Sequence, residues 1–250
     1  MEFIYHDLII NYEVKGSGEA LIILHGWNAD TSIYESIINM LKRKYLVYII
    51  DLPGFGESMV PSRPYSLDDY VDFVHTFISN LNIDNPIIIG HSFGGRIAIR
   101  YANKFEIKKL ILISSAGIKR FNLKTKYKIC KYKLKKKYYL LTRNIPKLEE
   151  LQNNSGSSDY QCLNNTMKRT MINIINTDQT KELKNVNVPT LLLWGKRDSQ
   201  TPYKDALLMN KKIKDSGLVT FNYSGHFPFI DEEYLFIKVL ASFLEVGDSK

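Results

Sequence analysis

The chain has 250 residues, 44% of them hydrophobic and 24% charged, with a formal charge of +8 and a pI near 9.2. That balance excludes a disordered, collagenous or coiled-coil chain, and no apolar run approaches the roughly 18 residues of a membrane span. The basic excess is local: Ile107 to Leu148 holds 14 Lys or Arg and no Asp or Glu, and outside it acidic residues outnumber basic ones, 26 to 20.

The predicted elements alternate along the chain. Phe3–Tyr5 and Leu8–Tyr12 form an opening hairpin that ends at Gly16-Ser17-Gly18. Leu21–Leu24 is a short continuous apolar run, as a strand buried on both faces requires. Thr31–Lys44 carries Ile33, Ile37, Met40 and Leu41 at helical spacing. Tyr45–Ile50 is a second buried strand, closed by Asp51-Leu52-Pro53-Gly54. Ser66 and Asp69 make a variant of the capping box at the start of a helix over Ser66–Asn82. Pro86–Gly90 is a strand, Arg96–Asn103 a helix and Leu110–Ile113 a strand. Between Ser115 and Val188 no strand run appears. There Leu123, Tyr127, Cys130, Leu134, Tyr138 and Leu141 recur at steps of four or three, with lysines on the other faces. That is one amphipathic helix, and Met167, Met171 and Ile174 mark a second. Asn153–Ser158 reads as a polar loop between them. Strands return at Thr190–Trp194 and Leu218–Tyr223, each followed by a helical pattern, at Lys204–Ile213 and Tyr234–Leu244. Strands apolar on both faces, alternating with helices, predict a mostly parallel sheet covered by helices. The boundaries expected are a core of 1–116 and 186–250 and a helical subdomain of 117–185.

Gly90-His91-Ser92-Phe93-Gly94 matches a nucleophile elbow. It stands between a strand and a helix, the context that motif requires. The sharp turn holds the serine in a strained conformation and presents its hydroxyl over a helix N-terminus, where developing negative charge is favoured. A serine hydroxyl needs a base, and the chain has five histidines. His6 precedes the core strands, His75 sits inside a helix, His91 adjoins Ser92 on the turn, and His25 precedes a loop glycine. His226 remains, on the loop after the last strand, at the sheet edge where catalytic groups gather. The base in turn needs a carboxylate to fix its tautomer. Asp198 follows the strand Thr190–Trp194 and gives the chain order Ser, Asp, His. Asp205 and Asp231 are read as helix-start residues with capping roles. Two oxyanion donors are expected: the backbone N–H of Phe93, and that of Trp27 in His25-Gly26-Trp27.

Five segments occur in order: Leu24-His25-Gly26-Trp27, Asp51-Leu52-Pro53-Gly54-Phe55-Gly56-Glu57-Ser58, Gly90-His91-Ser92-Phe93-Gly94-Gly95, Trp194-Gly195-Lys196-Arg197-Asp198 and Ser224-Gly225-His226-Phe227. On them nearly the whole chain resembles the α/β-hydrolase family, in particular its small single-cap, esterase-like members. The resemblance implies an α/β-hydrolase fold: an eight-stranded, mostly parallel sheet with a helical cap inserted after the sixth strand. It implies a structural role for Asp51. It implies cleavage of a small or medium acyl ester through an acyl-enzyme, with no cofactor and no metal. Relatives that open epoxides or remove halides carry aspartate where Ser92 stands, so those reactions are not expected. The family also contains esterases that act on an acyl carrier protein-linked ester. Lys119 to Lys137 would steer such an acidic partner, although a solvated lysine face is the plainer reading. Amide, thioester or C–C cleavage, and a non-enzymatic receptor, stay open as alternatives. No nucleic-acid-binding fold accompanies the basic segment. Two cysteines, Cys130 and Cys162, are too few for a disulfide framework, and no signal-peptide pattern opens the sequence, so a cytoplasmic location is expected.

Overall fold

The structure, a computed structural model, describes residues 1–29, 31–119, 123–154 and 158–247. Eight strands form one sheet in the order β1-β2-β4-β3-β5-β6-β7-β8: β1 Glu2–Tyr5, β2 Leu8–Gly16, β3 Glu19–Leu24, β4 Tyr45–Ile50, β5 Ile87–His91, β6 Lys109–Ile113, β7 Thr190–Gly195 and β8 Ser216–Phe221. The first hairpin and the β2–β4 pair are antiparallel. From β4 through β8 every pairing is parallel. The helices of the α/β core are α1 Glu35–Leu41, α2 Leu67–Asn80, α3 Phe93–Lys104, α8 Tyr203–Lys212, α9 Pro228–Asp231 and α10 Glu233–Leu244. Among the described residues, four more lie between β6 and β7: α4 Leu123–Leu141, α5 Ile145–Asn153, α6 Ser158–Cys162 and α7 Asn165–Ile175.

The period of two along each strand divides the interior into two layers. Ile22 and Leu24 of β3 face Tyr70 and Phe73 of α2 and Ile97 of α3. Leu21 and Ile23 face Ile37 and Leu41 of α1 and Phe236 and Leu240 of α10. A strand buried on both faces has no polar positions to spare, which is why β3, β5 and β6 read as unbroken apolar runs.

Several boundaries differ from those expected. The Thr31–Lys44 pattern divides into a 3-10 turn at Thr31–Tyr34 and the short α1. The last strand is Ser216–Phe221 rather than Leu218–Tyr223. β8 is an edge strand and only partly buried, so its apolar residues mark its limits poorly. Two helices appear where none was expected, α5 and α6. Of the expected Asn153–Ser158 loop, residues 155–157 lie outside the described residues, Asn153 ends α5 and Ser158 opens α6. Helix α7 docks on the core. The Thr170 hydroxyl accepts from the Tyr65 N–H at 2.9 Å, Asn173 Nδ2 donates to the Tyr65 carbonyl at 3.2 Å, and Met167 is buried.

Candidate active site

The parallel strands deliver their C-terminal ends to one edge of the sheet, and the candidate residues collect there. Ser92 links β5 to α3 at φ +50° and ψ −108°, a conformation a non-glycine residue adopts only when its surroundings hold it. They do so here. The Ser92 N–H donates to the Ile113 carbonyl at 3.0 Å, and the Ser92 carbonyl accepts from Gly95 at 3.1 Å and Ala116 at 3.0 Å. Gly94 permits the turn, because a Cβ there would overlap the Leu24 carbonyl of the neighbouring strand.

Asp198 lies three residues past β7 and is 6% exposed. The N–H groups of Gln200 and Thr201 donate to its Oδ1 at 2.8 and 2.9 Å. Its Oδ2 meets the Thr201 hydroxyl at 2.7 Å and His226 Nδ1 at 2.8 Å. Burial alone would raise this carboxyl, but the His226 ring and the Thr201 donors outweigh it and hold Asp198 below the usual carboxylate range. The carboxylate faces Nδ1 of His226, so Nδ1 carries the ring proton and Nε2 is left with its lone pair.

The loop bearing His226 is braced from α9 and α10. Asp231 accepts from the Gly225 N–H at 2.7 Å. Glu232 accepts from the Tyr223 N–H at 2.9 Å and the Ser224 hydroxyl at 2.7 Å. Asp231 therefore ends α9 and holds this loop, where a helix-start cap was expected. Asp205 does stand in the first turn of α8.

Ser92, His226, Gly26 and Trp27 line one cavity of about 350 Å³, together with His91, Asn28, Ala29, Gln200, Phe227 and Met171 of α7. Among the described residues no hydrogen bond joins Ser92 Oγ to His226. Both residues line the cavity.

A buried hydrogen-bond chain sets the first loop. Leu52 N–H donates to His25 Nε2 at 3.0 Å, so the His25 proton is on Nδ1, which donates to the Gly26 carbonyl at 2.6 Å. In a trans peptide the N–H points opposite to the C=O. Holding the Gly26 carbonyl against His25 therefore directs the Trp27 N–H away from that contact. Gly26 N–H donates to the Tyr34 hydroxyl at 3.2 Å, Tyr34 donates to His91 Nδ1 at 2.8 Å, and His91 Nε2 donates to the His226 carbonyl at 3.1 Å. This order follows because a carbonyl only accepts. Burial, followed by the nearby His226, lowers His91 to about 3, so it is a neutral relay joining the Gly26 loop to the His226 loop. His25 is lowered by burial as well.

The remaining histidines stand apart. His6 lies tilted against Tyr5 in the first turn, and His75 of α2 stacks on Phe105. Asp51 accepts from Asn11 Nδ2 at 2.9 Å and the Glu57 N–H at 3.1 Å, closing the turn after β4. Of the basic segment, Lys119 bonds the Asn176 carbonyl at 3.2 Å, while residues 120–122 lie outside the described residues. Sequence reasoning missed Tyr34, Thr201, Gln200 and Met171. Gln200 had a signal, two positions past an aspartate, the spacing of an Asx turn. Tyr34 had none, because its partners are distant in the chain.

Family models match almost the whole chain: residues 19–153 match the alpha/beta hydrolase fold and residues 154–249 a TAP-like protein. The chain is 31% identical to the AB hydrolase superfamily protein YisY of Bacillus subtilis, over 91% of this chain and 92% of that protein. It is 30% identical to a pimeloyl-[acyl-carrier protein] methyl ester esterase of Legionella pneumophila, over 94% and 99%. Among solved structures, an esterase from Exiguobacterium antarcticum superposes with a TM-score of 0.75 at 25% identity, covering 95% of this chain and 96% of that one. With these matches, and with its eight-stranded sheet and the helices inserted after β6, the chain belongs to the α/β hydrolase family.

Proposed function

We propose that the chain is a serine esterase that cleaves a small or medium acyl ester through an acyl-enzyme. Ser92 is the nucleophile, His226 the base, Asp198 the orienting acid, and the N–H groups of Trp27 and Phe93 bind the oxyanion. The observation that carries this reading is the Asp198–His226 pair at 2.8 Å, set over a cavity that His226 shares with Ser92 and Trp27. His226 Nε2 takes the Ser92 proton as Oγ attacks the acyl carbon, and Asp198 stabilises the imidazolium. The carbonyl electron pair moves onto oxygen and is met by the two backbone donors. Collapse expels the alcohol, which takes the proton from His226. Water then repeats the sequence on the acyl-enzyme and frees the acid. The reaction needs no cofactor and no metal. In this reading 117–185 is a cap over a core of 1–116 and 186–250, and Met171 brings the cap to the cavity. Exposed, unpaired Cys130 and Cys162 suit a cytoplasmic location.

A p-nitrophenyl ester series from two to twelve carbons tests the reading, with wild type and Ser92→Ala in parallel. Turnover by wild type alone supports it, and a cavity of this size favours the shorter acyl chains. Wild type inert on every ester, or Ser92→Ala equally active, overturns it. A second reading keeps the chemistry and places the acyl group on an acidic carrier protein, in line with the Legionella relative's name and the basic segment 119–137. Salt-sensitive retention on immobilised acyl carrier protein supports it, and no retention at low salt removes it.

A further inference from the structure

Helix α4 runs for 19 residues, and α5 is the element it mainly packs against. The face turned toward the molecule carries Tyr132, Lys136 and Tyr139, all half-buried. An apolar stripe ordinarily marks a packed face, but the stripe of α4 is on the outside. Tyr127 is 68% exposed, Leu134 64%, Tyr138 62% and Leu141 74%, and Cys130 is exposed between them. At 100° per residue these five positions fall within an arc of about 80°, opposite the packed face, and they extend for about 21 Å. Lysines flank the arc on both sides, Lys131 and Lys135 on one and Lys133 and Lys137 on the other, and all four are exposed.

We propose that this outward face of α4 docks on an anionic lipid surface, with Tyr127, Leu134, Tyr138 and Leu141 entering the headgroup boundary and the flanking lysines reaching the lipid phosphates. The layout resembles that of a helix lying in a membrane interface: a stripe of exposed apolar side chains, with Ile129 and Leu140 exposed beyond it, tyrosines along it, and basic side chains on both shoulders whose alkyl stems follow the apolar surface while the ammonium groups stay wet. Charge selects the partner. The segment from Ile107 to Leu148 has no acidic residue, so its complement is anionic. A second copy does not supply it, because two such faces would oppose lysine to lysine. A compact acidic protein would answer the lysines, but a straight stripe of exposed side chains about 21 Å long suits a planar apolar boundary better. The helix lies on the surface and does not span it; among the described residues no helix is long and apolar enough to cross a membrane.

The test is co-sedimentation of the full chain with vesicles of phosphatidylcholine alone and of phosphatidylcholine with phosphatidylglycerol. Two variants are compared, Leu134→Asp with Tyr138→Asp on the stripe, and Lys131→Ala with Lys135→Ala and Lys137→Ala on the shoulders. These side chains are exposed, so both variants should fold, and circular dichroism and turnover of a soluble ester check this. The expected result is binding to anionic vesicles about tenfold or more above neutral ones, weakened by salt and lost in the stripe variant. Three results overturn the proposal: no binding to anionic vesicles at low salt, binding that the stripe variant leaves unchanged, or retention of acyl carrier protein without vesicle binding.

Discussion

Ser92 stores backbone strain at φ +50°, and hydrogen bonds to Ile113, Gly95 and Ala116 repay it. Asp198 is similarly over-determined, and Thr201 is central to it, giving Asp198 both a backbone N–H and a hydroxyl contact. The Thr201 hydroxyl also reaches the Ser114 carbonyl at 2.9 Å, and the Thr201 carbonyl accepts from Trp194 Nε1 at 2.8 Å. Thr201→Val removes the hydroxyl and keeps the shape. A loss of about 1–3 kcal/mol from the transition state lowers kcat by about 5- to 160-fold, with little change in KM. Thr201→Ser should restore most of it, and steady-state kinetics on one ester read all three proteins.

The buried ring of His91 makes a pH prediction. Its native value, about 3, is below that of an imidazole in the unfolded chain, near 6.5. Between those limits the unfolded state binds the extra proton, so stability falls as pH drops from about 6.5 toward 3, by up to about 1.4 kcal/mol per pH unit. His25 is shifted the same way. Asp198, held below its ordinary range, contributes stability above that range and loses it as pH falls further. Urea titrations across this window should show a flatter slope in His91→Asn than in wild type, and equal slopes would contradict the assignment.

At the scale of elements, α2 shows how local sequence fixes a boundary. The Ser66 hydroxyl accepts from the Asp69 N–H at 3.2 Å, and Asp69 accepts from the Ser66 N–H at 2.6 Å, the reciprocal pair the sequence predicts. Ser66→Ala should cost about 1 kcal/mol, read as a lower denaturation midpoint at unchanged slope. Helix α7 carries the prediction about specificity. Met171 reaches the cavity while Met167 and Ile174 of the same stripe are buried. Met171→Trp should shift the acyl-chain optimum shorter and Met171→Ala longer, measured on the ester series. Helices α5 and α6 escaped the sequence reading because they are short, nine and five residues. What starts α5 is a cap, Asn144 accepting from the Lys147 N–H at 3.3 Å, followed by Pro146.

Across the whole molecule, legibility follows the range of the interactions. Strands such as Tyr45–Ile50 were readable because burial on both faces writes one apolar run. The placing of Ser92, Asp198 and His226 at one sheet edge was readable because each lies just past a strand, and a parallel sheet brings such ends together. The chain from Gly26 through Tyr34 and His91 to His226 was not readable, since it joins residues 8, 57 and 135 positions apart. The direction of the α4 stripe was not readable either, because periodicity shows that a helix has two faces and not which of them is covered. Everything proposed for this site turns on Ser92 being a nucleophile activated by His226. The most direct measurement is mass spectrometry of the protein after treatment with a fluorophosphonate, with the adduct mapped by peptide. One adduct per chain is expected, on Ser92, and none in Ser92→Ala or His226→Ala. An unlabelled wild type, an adduct on another residue, or undiminished labelling in His226→Ala would contradict it.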